Sequence, residues 1–124
     1  MVTRVEDRSR DLPPTDHPPV LAQISNACVR LHKRFHGKGP VRARAELWGD
    51  VLIVLLEDGF TRAEQTLQER GHTQEVVDAR LAMRSSIEGE IRAVVEAILA
   101  RPVRSYMSAT DPAARLQVEV FLLQ

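Results

Sequence analysis

The chain has a single cysteine, Cys28, so no internal disulfide can staple it. A lone thiol fits a reducing compartment. Aromatic residues make up only 4% of the sequence, too few for the stacking platforms that carry single-stranded nucleic acid. Neither sign of charge prevails, since Lys plus Arg and Asp plus Glu are each 17. Such a chain has no global field to draw in nucleic acid or an anionic lipid surface. Long apolar runs are missing as well. The longest, Val51 to Leu56, has the length of a strand, far short of the ~20 residues that cross a bilayer. The first residues carry mixed charges and no apolar stretch of the secretory kind. Nucleic-acid binding and direct membrane insertion are therefore not expected, and a cytoplasmic location is.

At 124 residues the chain has the size of one domain. A chain of that length buries roughly two-thirds of its unfolded surface, enough for a core without staples. Residues 1–19 contain Pro13, Pro14, Pro18 and Pro19, scattered charges and little to bury. They are expected to form a disordered tail, passive or serving as a docking peptide, ahead of one folded domain over 20–124.

Leu21, Ile24, Cys28, Leu31 and Phe35 recur at spacings of three and four, which predicts a helix from about Val20. Gly37-Lys38-Gly39-Pro40 ends it. The period then becomes two: Val41, Ala43, Ala45 and Leu47 alternate with Arg42, Arg44, Glu46 and Trp48. Gly49-Asp50 supplies a turn into Val51 to Leu56, so a β-hairpin is predicted. Thr61-Arg62-Ala63-Glu64 has the form of a capping box opening a short helix, with Ala63 and Leu67 on one face and Gly71 placed to end it. Thr73 is positioned to cap a longer helix running to about Ala100. Its large apolar stripe is Met83, Ile87, Ile91, Val94 and Ile98. Beside it run Ala82, Ser86, Gly89, Ala93 and Ala97, small enough for a close neighbour from the same chain or a second copy. Val103 to Ala109 and Leu116 to Leu123 read as two further strands about a turn at Thr110-Asp111-Pro112. The fold class is α+β, in the order α-β-β-α-α-β-β, with a four-stranded, largely antiparallel sheet packed against helices. The second and fourth strands are apolar on both faces, which places them centrally in the order 1-2-4-3. Helices would then cover one or both faces.

Three blocks carry a family resemblance. Ile24-Ser25-Asn26, Val29-Arg30-Leu31-His32-Lys33 and Gly37-Lys38-Gly39-Pro40 are similar to the opening of the MpsC-like domain family. Leu56 to Glu64, reading Leu-Glu-Asp-Gly-Phe-Thr-Arg-Ala-Glu, resembles its second block. Met107-Ser108 and Val118-Glu119-Val120-Phe121 resemble its last. The likeness covers about residues 20–124. Arg101-Pro102-Val103 departs from it, standing where the family often has a Gly-Arg-Lys-Val-like turn. The family's name denotes component C of a membrane-potential-generating, cation-translocating system. What this implies is a cytoplasmic accessory or regulatory role beside membrane proteins that couple cation or bicarbonate uptake to membrane potential. The resemblance carries over no catalytic residues.

His32 and His36 stand four apart, on one helix face, but lack a third zinc ligand, so they read as helix surface or local hydrogen bonding. Cys28 lies on the apolar face, as a small buried hydrophobe rather than a nucleophile. Gly37-Lys38-Gly39-Pro40 could present amides to an anion, yet it ends a helix, whereas phosphate loops begin one. No acidic residue occurs from His17 to Ala45, while Glu57, Asp58, Glu64, Glu69, Glu75 and Asp78 crowd the following segment. The two blocks either neutralise each other or leave a basic patch. If a patch remains, Arg30, Lys38, Gly39, Arg42 and Arg44 are its anion or partner contacts. No catalytic set, cofactor or metal site is expected, and the chain is not expected to be an enzyme. The leading reading is an accessory protein acting through protein contacts, with a membrane transporter subunit, another protein or a second copy as partner. The alternative is a regulatory domain that binds an anion or nucleotide.

Overall fold

Seven elements follow Pro19 in the expected order. A computed structural model, which describes residues 19–124, shows α1 (Val20–His36), β1 (Arg42–Trp48), β2 (Val51–Glu57), α2 (Arg62–Glu69), α3 (Thr73–Leu99), β3 (Val103–Asp111) and β4 (Leu116–Leu123). The tail predicted over residues 1–19 lies, Pro19 apart, outside the described residues. The sheet runs β1-β2-β4-β3, antiparallel throughout. The order is the expected one: β2, apolar on both faces, and β4, apolar on its outer face, take the centre.

The caps follow local chemistry with one exception. Gly37 closes α1 at φ 84°, its amide donating to the Lys33 carbonyl at 3.0 Å. A Cβ at Gly39 would lie 3.2 Å from that of Lys33, so the chain passes close over the helix end. Thr61 and Glu64 form the full capping box of α2. Thr73 is not a cap, however. It is the first helical residue of α3, His72 precedes it as N-cap, and no side chain caps that end. The last hairpin is also longer than expected: β3 continues to Asp111, and Arg115, at φ 56°, donates to the Pro112 carbonyl at 3.1 Å to close the turn.

All three helices lie on one side of the sheet. α1 lies over β1 and β2, α3 over β3, and α2 packs on α3. Leu52, Val54, Leu56, Phe121 and Leu123 of the inner strands bury against Ile24 and Cys28 of α1 and Ile91 and Val95 of α3. Removing each such side chain from water stabilises the fold by about 1.5–3 kcal/mol. Two predicted stripes pack differently. Ala63 and Leu67 of α2 are exposed, and α2 buries no residue fully. The small residues of α3 are exposed too, and nothing lies within 4 Å of a Cβ built on Gly89. The stripe therefore meets no neighbour among the described residues, which removes the first of the two neighbours expected for it, one from the same chain or a second copy.

The other face of the sheet is open among the described residues. Its centre is apolar: Val51, Ile53 and Leu55 from β2 stand in register with Leu122, Val120 and Val118 from β4. Outside them, β1 contributes Arg42, Arg44, Glu46 and Trp48, and β3 contributes Ser105, Met107, Ala109 and Asp111. Among the described residues helices cover one face only, and the alternation of β2 and β4 makes the centre of the second apolar.

Candidate functional site

A chain of polar side chains threads the interior between the helices and β4. The inward positions of β4 are Gln117, Glu119, Phe121 and Leu123, all buried. Sequence reading took this strand as apolar on both faces; two of its four inward residues are polar. Glu119, 1% exposed, accepts a hydrogen bond from the Tyr106 hydroxyl of β3 and one from Gln117 Nε2 at 3.0 Å. His32 Nε2 of α1 lies 3.0 Å from its Oε1. Of the two settings expected for His32, helix surface or local hydrogen bonding, it has neither: it is 2% exposed, and its hydrogen-bond partner is 87 positions away.

Gln117 passes the network to α3. Its Oε1 accepts from Arg80 Nη1 at 3.2 Å and from the Thr110 hydroxyl at 3.0 Å. Arg80 donates to both carboxylate oxygens of Glu64, at 2.6 and 2.7 Å, and to the Gly59 carbonyl at 3.0 Å. Its guanidinium also stacks 4.3 Å from the centre of the Phe60 ring. A planar fork held in two directions and stacked on an aromatic is a use of arginine that lysine cannot match. Glu64 closes the circuit, since it also accepts from the Thr61 amide at 2.8 Å.

The electrostatics follow from this packing. Burial would raise the Glu64 carboxyl, but the Arg80 and Thr61 hydrogen bonds outweigh it and hold the group below its ordinary range. His36, stacked on His32 with ring centres 5.2 Å apart, is lowered to about 4, first by burial and then by the Arg80 guanidinium and the neighbouring imidazole. Burial and the facing Glu119 push the Tyr106 phenol well above its usual value. The same two causes push the Cys28 thiol up to about 12, which keeps it an un-ionised hydrophobe, as its sequence position implied. A buried carboxylate with three partners is satisfied, and the network locks α1, α3 and the sheet into one register.

The basic residues singled out in the sequence are dispersed by the fold. Arg30 is exposed on α1, Lys38 is exposed in the loop after it, and Gly39 packs against the helix end. Arg42 and Arg44 stand on the open face of the sheet, the side opposite α1. Arg42 pairs with Glu57 at 2.9 Å and reaches Asp58 at 4.0 Å, and Arg44 lies 4.0 Å from Glu46. The basic and acidic blocks therefore meet in part. Arg42 and Arg44 also line one shallow cavity of about 670 Å³ with Val41, Ala43, Leu55 and Glu57. Among the described residues no group of His, Cys, Asp or Glu side chains could hold a metal ion. The interior network escaped sequence reading, yet it left a trace. Arg80 and Glu119 are charges sitting in the buried phase of their own elements, beside Val76 and Phe121.

Residues 19–124 match the model of the family described as Na+-translocating membrane potential-generating system (MpsC). No curated protein and no solved structure matches the chain.

Proposed function

The chain belongs to the MpsC family, and on that premise we propose that it is a cytoplasmic, non-enzymatic accessory or regulatory protein of a Na+-translocating, membrane-potential-generating system. One observation carries the reading beyond the family. No helix of the described residues is long and apolar enough to cross a membrane, which supports an influence on ion translocation exerted through contacts with other chains. Exposed Arg30 and Lys38, which form no ion pair among the described residues, are suited to an acidic loop of a membrane subunit. Deleting the gene in its host and following membrane potential with a cationic dye under imposed Na+ gradients tests the role. A lowered Na+-dependent potential, restored by the full chain, is expected. A potential equal to that of the parent strain defeats the proposal.

A second reading, a regulatory domain that senses an anion, draws on the cavity that Arg42 and Arg44 share. It predicts a rise in thermal midpoint with phosphate, bicarbonate or a nucleotide, and loss of that rise in Arg44→Ala. An unchanged midpoint across the panel removes it.

A further inference from the structure

We propose that the open face of the sheet is a dimer interface, on which a second copy of this chain packs face to face. The centre of that face is apolar and its margins carry the charges, the layout of a specific interface. Met107, 53% exposed, and Trp48, 41% exposed, extend the apolar surface toward the two edges. Other occupants fit less well. Residues 1–18 supply only Met1, Val2, Val5 and Leu12 as apolar side chains besides prolines, too few to cover the six apolar residues at the centre. Four strands spaced ~4.8 Å apart, with outward residues every ~6.8 Å, span roughly 500 Å² in projection. Two copies together bury about 1,000 Å², the lower bound for a specific interface.

Charge complementarity selects the second copy and its orientation. Arg42 and Asp111 stand at opposite ends of one row across the sheet, joined through Glu57 and Leu116. A two-fold axis parallel to the strands lays β1 of one copy over β3 of the other and keeps each row level. Arg42 then faces Asp111 of the second copy, and the contact occurs twice, as a closed dimer requires. Stacked sheets cross at about 30°, and the long arginine side chain spans the resulting offset at this corner. Both residues are exposed in the single chain.

The test is sedimentation of the full chain across concentration. A dimer is expected for the unaltered protein. Val120→Asp sets a charge at the centre of the face twice, and should weaken dimerisation about a hundredfold with an unchanged circular dichroism spectrum. Arg42→Asp and Asp111→Arg each place like charges together and should each weaken it about tenfold. Mixing these two variants restores both contacts, so the mixture should dimerise more tightly than either alone. That result stands even if Val120→Asp fails to fold. A monomer at every concentration, a folded Val120→Asp dimer, or a mixture no tighter than its components overturns the proposal. Dimerisation only after deletion of residues 1–18 would also overturn it, by assigning the face to that segment.

Discussion

His32 of α1 and Glu119 of β4 are 87 positions apart and meet at 3.0 Å in the interior. The carboxylate also accepts from Tyr106 and Gln117, so its removal strands three buried polar groups at once. An unmade buried hydrogen bond costs about 1–3 kcal/mol per group, moderated where neighbours relax. Glu119→Leu should therefore lower the free energy of unfolding in urea by about 3 kcal/mol or more. Glu119→Gln keeps an acceptor and should lose clearly less. A leucine variant within about 1 kcal/mol of the parent would mean that water or rearrangement satisfies the donors, and the network would not hold the fold.

The start of α2 rests on local chemistry instead. Thr61 Oγ1 accepts from the Glu64 amide at 3.1 Å, and Glu64 returns a bond to the Thr61 amide at 2.8 Å. Thr61→Ala removes one acceptor for an orphan helix amide and should lose about 1 kcal/mol. Urea unfolding at neutral pH measures it. Because Arg80 depends on the same Glu64, a loss well above that figure would show that the cap also positions the interior arginine.

Much of this architecture was legible in the chain, and for a definite reason. Period-two and period-four patterns, Gly37, Gly49 and the capping box act over a few residues, so neighbours alone reveal them. Strand order was legible because β2 and β4 carry the longest apolar runs among the strands, although half of the inward residues of β4 are polar. The interior network was not legible, because a charge in a buried phase is tolerated only when a distant partner arrives, and nothing near His32 signals Glu119. Gly89 misled for the opposite reason. Small residues at helical spacing permit a close approach, but only the fold decides whether a neighbour comes.

Acid should loosen the molecule through His36. Its folded value of about 4 lies below the ordinary 6.5, so between those values the unfolded chain binds the extra proton. Stability is full above the unfolded value and declines as pH falls toward the folded one. Glu64, also lowered on folding, adds a loss in the same direction at the acid end. The thermal midpoint should fall steadily from pH 7 to pH 5, and His36→Asn should flatten that slope. A slope identical in the variant would remove His36 as its source.

Gly89 offers a stabilising change. It sits inside the 27-residue helix α3, and a Cβ there would meet nothing within 4 Å. Glycine in an exposed helix interior is about 1 kcal/mol less favourable than alanine. Gly89→Ala should raise stability by about that amount, seen in calorimetry as a midpoint higher by a few degrees. Its sedimentation should match the parent, because the dimer inferred above uses the other side of the sheet. Gly89→Leu separates the remaining alternative. If the small-residue stripe faces water, leucine also stabilises, through its helix propensity, and leaves the mass unchanged. If a second copy crosses α3 at this point, leucine overpacks the contact and the protein dissociates. Dissociation in Gly89→Leu, with the Arg42 and Asp111 variants still dimeric, would move the interface from the sheet to the helix.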